Sequence, residues 1–303
     1  MSTVAVSSFS LVRALGPVRM ETRGEDGSLT EIEIPLPQKH TLEEFFQLAK
    51  DELGVRAVEL CQIQFDRSDD ERVTELRAAL DASDVELLTV PIDAGDLSSA
   101  NAEHRADDIL RIKRWITIAA DLKARYVRVN TGNVAAGNHE GDRAGLIAAL
   151  VELSEFAAQR GLMLLVENHG GESSDPDYLL SLRADVGEHR LGILLDLGNF
   201  EPLISVSHAR FLGESPIDTG LDTDPVYDAI ARLAPVAALV HAKAFDNASD
   251  GTPLLDLERA LSTVASSGYS GDISIEWEGV LGDPWERTAS VVQAVRHHFP
   301  DHA

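Results

Sequence analysis

The sequence predicts a closed (β/α)8 barrel, and three observations carry that expectation. Eight short, β-branched apolar runs recur along the 303 residues, and longer amphipathic stretches lie between them. No G-x-G-x-x-G follows an early run, where a doubly wound dinucleotide-binding sheet usually carries one. No linker divides the chain, so residues 1–303 are expected to form one domain of a size that single barrels reach.

The expected strands, in order, are VAVSS (4–8), AVELC (57–61), ELLTVPI (86–92), YVRVNT (126–131), LMLLVEN (162–168), GILLDL (192–197), AALVHAKAF (237–245) and DISIEWE (272–278). Helices are expected at 41–53, 71–82, 106–123, 143–160, 175–186, 224–234, 254–267 and 283–299. The first opens on Thr41 with Glu44 three residues on, the pattern of a capping box. Three begin Asp-Pro, at Asp175, Asp224 and Asp283, which reads as an N-cap followed by proline at the first helical position. Two connections are long. Residues 17–40 contain VRMETRGEDGSLTEIEI, two alternating runs around a glycine-rich turn, and read as a β-hairpin inserted after the first strand. Residues 200–224 show little periodicity and read as a loop. Both would project from the C-terminal face of the barrel, the hairpin as a lid or a subunit contact.

Composition narrows the partners. Against 51 acidic side chains stand 26 basic ones, a formal net charge of −25 that repels nucleic acid and anionic membrane surfaces. A single cysteine, Cys61, forbids an intrachain disulfide and suits a reducing cytoplasm. The first residues lack the charged and apolar regions of a signal peptide, and no apolar run approaches the roughly 20 residues that span a bilayer. A cytoplasmic protein acting on a small molecule is expected. A homo-oligomer stays open.

The last four strands end in polar residues. They are Glu167-Asn168-His169, Asp196-Leu197-Gly198-Asn199, His241-Ala242-Lys243 and Glu276-Trp277-Glu278. In a barrel, Glu167, Asp196, His241 and Glu276 would converge on one point. Taken singly, each carboxylate is more often a salt bridge or a cap, and His241 a hydrogen-bonded core histidine. Together, three carboxylates and an imidazole removed from water repel one another unless a cation neutralises them. Oxygen-rich ligands with one imidazole suit Mn²⁺, Mg²⁺ or Co²⁺, with Zn²⁺ or Fe²⁺ as further candidates. Four protein ligands leave two positions for adjacent oxygens of a sugar.

The neighbours divide less sharply. Lys243 shares a strand face with His241, and either touches substrate or pairs with a barrel carboxylate such as Glu59. Glu278 holds a substrate hydroxyl or is a rim charge, and His169 lies above Glu167 within reach of substrate. Asn168 and Asn199 orient ligands. Arg128 or Asn130 faces the pocket. His104 and His139 suit the surface, His40 local structure, and Cys61 an inert core position.

VENHGG, LLDLGN, VHAKAF and ISIEWEG, in this order, resemble the sugar phosphate isomerase/epimerase superfamily, the xylose-isomerase-like TIM barrels, which also contain endonuclease IV. The resemblance spans nearly the whole chain. It implies a Mn²⁺-type ion on Glu167, Asp196, His241 and Glu276, with the two glutamates moving protons on opposite faces of a sugar or cyclitol through an enediolate. It also implies substrate contacts for Asn199, which stands where ketose 3-epimerases have histidine. Ala244 stands where many members have aspartate, with Asp246 two residues on. Lyases of the superfamily, of the inosose dehydratase or C-glycoside-cleaving kind, begin with the same proton abstraction and stay open. So does a non-catalytic barrel, although a complete ligand set argues against it. Endonuclease chemistry would need several further histidines and a basic groove, whereas the first four strands supply almost no histidine and the net charge is strongly negative.

Overall fold

A computed structural model describes residues 2–24, 26–132 and 142–302. Eight parallel strands close into a barrel: β1 (Val4–Ser7), β4 (Ala57–Glu59), β5 (Glu86–Ile92), β6 (Tyr126–Val129), β7 (Met163–Glu167), β8 (Leu191–Asp196), β9 (Ala237–Ala244) and β10 (Asp272–Trp277), with β10 pairing back onto β1. The expected hairpin is present as β2 (Val18–Arg23) and β3 (Leu29–Ile34), antiparallel with Met20 opposite Ile32.

Two apolar regions hold the barrel. The larger lies between the strands and the surrounding helices. The smaller fills the inside of the barrel with Ala5, Ala57, Leu88, Leu165, Leu194 and Leu239, all fully or almost fully buried. Strand side chains alternate, so the next inward residue is two positions on. On five of the six strands those positions are Ser7, Glu59, Glu167, Asp196 and His241, while Val90, two residues beyond Leu88, packs in the outer region. The inner plug therefore forms the floor, and a polar layer stands on it.

The helices that cover the barrel start where their caps dictate. In α2 (Leu42–Leu53) Thr41 accepts from the Glu44 N–H, and Glu44 accepts from the Thr41 N–H, as the capping box predicts. Asp175 and Asp283 cap α6 (Pro176–Val186) and α10 (Pro284–His298). Asp224 differs from expectation. It is the first residue of α8 (Asp224–Leu233), whose N-cap is Thr223, and its carboxylate pairs with Arg259 at 2.7 Å instead. The helix α4 (Ala102–Asp121) begins four residues before the expected start, because Asn101 accepts from the Glu103 and His104 N–H groups and so caps a first turn with no large apolar residue to announce it. The remaining covering helices are α3 (Asp70–Ser83), α5 (Arg143–Ala158) and α9 (Leu257–Ser266).

The connection after β8 is not the loop expected. It contains α7 (Leu203–Phe211), whose cap position is Pro202, with no side-chain cap, and whose Ile204 and Val206 are β-branched. Local propensity is weak there, and tertiary contacts hold the helix. Phe211 stacks on Phe9 at 5.9 Å, and Arg210 donates to the backbone carbonyls of Asp246 and Asn247.

The hairpin is tied to α4. Buried Asp108 accepts from Arg23 at 2.5 Å, Arg111 at 2.9 Å and the Asp96 N–H at 2.9 Å. Gly95, at φ 79°, lies against Asp108, and a Cβ there would meet the Asp108 Cβ at 2.7 Å. Met20, Leu29 and Ile32 of the hairpin and Leu110 of α4 remain exposed. No helix among the described residues is long and apolar enough to cross a membrane. Asp108→Ala should destabilise the protein by about 2 kcal/mol, because it removes the buried acceptor of the Asp96 N–H and the carboxylate that joins Arg23 to Arg111, which keep only Asp107 and Glu21 as acidic partners among the described residues. Urea unfolding measures the loss, and faster proteolysis within the hairpin should accompany it.

Candidate active site and metal centre

The polar layer gathers around His241. Its Nδ1 lies 3.1 Å from Glu276 Oε2, 3.5 Å from Asp196 Oδ2 and 3.7 Å from Glu167 Oε1. Ligands at right angles around an ion with bonds of about 2.1 Å are about 3 Å apart, so this spacing suits a divalent cation. Two buried atoms that face each other here, His241 Nδ1 and Asp196 Oδ2, have no well-aligned hydrogen bond among the described residues. Buried polar atoms are rarely left so, and an ion would satisfy them. Glu167, Asp196 and His241 on one side, and Glu59, His241 and Glu276 on the other, each present ligand atoms within 4.8 Å of one another. The barrel stagger puts Asp196 opposite His241 but Glu276 opposite Lys243, one inward step higher.

Most side chains of the cluster are held from behind. Glu59 Oε2 sits 2.8 Å from His241 Nε2, which leaves Nδ1 to face the carboxylates. Asp196 Oδ1 accepts from the N–H groups of Gly198 (2.7 Å) and Asn199 (2.9 Å), which aims Oδ2 inward. Asn168 brackets the Asp196 backbone, donating to its carbonyl and accepting from its N–H. Asn199 donates to Glu167 Oε1 at 3.1 Å and accepts from Lys243 Nζ at 2.9 Å. Arg128 Nε stands 2.8 Å from Glu167 Oε2, poorly aligned for a hydrogen bond and so an ion pair, while its other end pairs with Asp93 at 2.5 Å.

Lys243 has four partners. Nζ is 2.6 Å from Glu278 Oε2, 3.1 Å from Glu276 Oε1 and 3.3 Å from Asp196 Oδ2, besides Asn199. The pairing with Glu59 envisaged from the sequence does not occur, because Glu59 lies beneath His241. Glu278 is only 11% exposed and also accepts from Ser207 of α7, so it is not a free rim charge. Gly198 makes room for this arrangement: a Cβ there would meet the Phe245 ring at 2.6 Å and Lys243 Cδ at 3.0 Å.

The electrostatics follow. Burial pushes the Glu167 carboxyl up to about 7, against the opposing pull of Arg128 and His241. Glu276 is also buried, yet Lys243 and His241 hold it well below the usual carboxylate range. Burial opposes the charged forms of His241 and Lys243, but the carboxylates around them, Glu59 for the imidazole and Asp196 for the ammonium foremost, keep both raised. The cluster thus draws in positive charge. Burial, with Arg128 adding to it, lowers His169 to about 4.

Other sequence expectations have definite places. His169 is half-buried at the mouth, its ring 6.2 Å from His208 of α7. Arg128 and Asn130 face the same side, where Asn130 donates to Asp93. Cys61 is buried beside Ser7, and burial raises its thiol well above the ordinary value. His40 pairs with Glu44 at the start of α2, and His104 lies under the hairpin at Gly27. His139 falls outside the described residues. Glu59 and Asp93 were not among the expected site residues. The signal for Glu59 is its inward position two residues beyond Ala57 of the plug.

Residues 46–297 match the model of the xylose isomerase-like TIM barrel family. The chain belongs to this family. No curated protein matches the sequence. Among solved structures of this barrel type, L-ribulose 3-epimerase is 15% identical with a TM-score of 0.66, the match covering 99% of this chain and 97% of that one. A xylose isomerase-like TIM barrel protein from Mycobacterium smegmatis in complex with magnesium is 15% identical, covers 98% of each chain and has a TM-score of 0.63. The IOLI protein with a bound zinc atom is 14% identical over 99% of this chain and 97% of that one, with a TM-score of 0.63. At these identities the likeness establishes the fold. For the candidate centre itself, Glu59→Gln should weaken divalent-ion binding roughly 10- to 100-fold by loosening His241. Titration calorimetry with Mn²⁺ measures it, and an unchanged affinity would remove Glu59 from this role.

Proposed function

We propose that this xylose isomerase-like barrel, residues 1–303, is a divalent-metal-dependent isomerase or epimerase of a sugar or cyclitol. The observation that supports it most is the pair of buried glutamates, Glu167 and Glu276, both within 3.7 Å of His241 Nδ1 and each beside its own cation. Their surroundings push the two carboxyls apart in acidity, the pattern by which a site assigns distinct proton-transfer roles to like groups. L-ribulose 3-epimerase shares the fold, and magnesium and zinc occupy two solved relatives.

In this proposal Glu167, Asp196, His241 and Glu276 hold the ion, Mn²⁺ in the first place, with Mg²⁺, Co²⁺ or Zn²⁺ as alternatives. An ion held by these residues would supply Lewis-acid polarisation of a substrate carbonyl and would offset the negative charge that develops when the neighbouring carbon loses its proton. One glutamate takes that proton, and the other returns one. Lys243 and His169 contact substrate oxygens. Asn199 and Glu278 act on the substrate through the ammonium that both of them hold.

The test is hydrogen exchange in D₂O with Mn²⁺, across free ketoses, aldoses and cyclitols. Incorporation of deuterium at a carbon next to a carbonyl is expected with wild type and should disappear with EDTA. Glu167→Gln and Glu276→Gln should each lower exchange by roughly 10²- to 10⁴-fold. Full exchange in either variant removes that glutamate from proton transfer.

A further inference from the structure

We propose that Lys243 serves as the resident cation of the metal-free site, occupying the electrostatic position that a divalent ion takes over, and so limits how tightly that ion binds. This rests on the metal reading above. The ammonium is 2% exposed and lies 3.3 Å from Asp196 Oδ2 and 3.1 Å from Glu276 Oε1. Asp196 Oδ2 is also the oxygen that faces His241 Nδ1 at 3.5 Å. One carboxylate oxygen is therefore shared between the ammonium and the point where the ligands converge.

The consequences are physical. Without an ion, Asp196, Glu276 and Glu278 would confront one another in a largely buried space, and the ammonium relieves that repulsion. It keeps the ligands in place for the ion. When the ion arrives, two positive groups share the same oxygens, and their repulsion subtracts from the affinity. Lys243 then retains Glu278 and Asn199, the partners that are not ion ligands, and a donor released from Asp196 and Glu276 turns to a ligand oxygen. Gly198 lies against the stem, and Asn199 and Glu278 hold the head, so it moves only a short way.

The test compares wild type with Lys243→Met and with Lys243→Gln, the second keeping a hydrogen-bonding end. Mn²⁺ affinity is measured by titration calorimetry, and thermal midpoints in EDTA and in saturating Mn²⁺. Both variants should bind Mn²⁺ roughly tenfold or more tighter than wild type. They should melt lower in EDTA and recover more of the loss on adding Mn²⁺. Equal or weaker binding by both variants would overturn the inference, as would failure of both to fold in saturating Mn²⁺, since the ion should replace the charge removed. A variant that folds only with Mn²⁺ supports it. If wild type binds no divalent ion at all, the metal reading itself fails, which is a separable result.

Discussion

The constraint on which this molecule depends is the gathering of ionisable oxygens above a dry barrel floor. Leu88, Leu165, Leu194 and Leu239, with Ala5 and Ala57, exclude water from beneath the polar layer. Charge placed there cannot be relieved by solvent and has to be relieved by other side chains or an ion. Each carboxylate has its own answer. Glu59 meets the His241 imidazole, Glu167 meets Arg128, and Glu276 and Glu278 meet Lys243. Oxygens of Glu167, Asp196 and Glu276 converge on one place, Nδ1 of His241.

Seen this way, the asparagines are structural instruments of the same constraint. Asn168 turns both ends of its amide to the Asp196 backbone, and Asn199 joins Glu167 to Lys243. Neutral groups with a donor and an acceptor can tie charged neighbours together without altering the charge balance. The helix α7 closes the arrangement from above, with Ser207 on Glu278 and Phe211 on Phe9.

The barrel was legible because its strands are short continuous apolar runs separated by capped helices, a pattern that burial on both faces imposes. The hairpin was legible from its glycine-rich turn. Glu167, Asp196, His241 and Glu276 were legible because each follows an apolar run. Glu59 and Arg128 were harder. VELC and YVRV enclose a polar residue between apolar ones, and only the depth of the inner plug shows that these side chains look inward at the same level. The start of α4 and the whole of α7 were not readable. The first opens with a polar turn, and the second has no cap and is held by contacts from distant loops.

The offset of two residues between the plug and the polar layer divides the labour along five of the six contributing strands; on β5, Val90 follows Leu88 into the outer core instead. One inward side chain secures the closed sheet, and the next one takes part at its mouth. Chemistry at the mouth can therefore drift, with loops exchanged and pocket residues replaced, while Ala5, Ala57, Leu88, Leu165, Leu194 and Leu239 preserve the container beneath. For evolution or design, this is a chassis whose foundation and working surface are mutated independently.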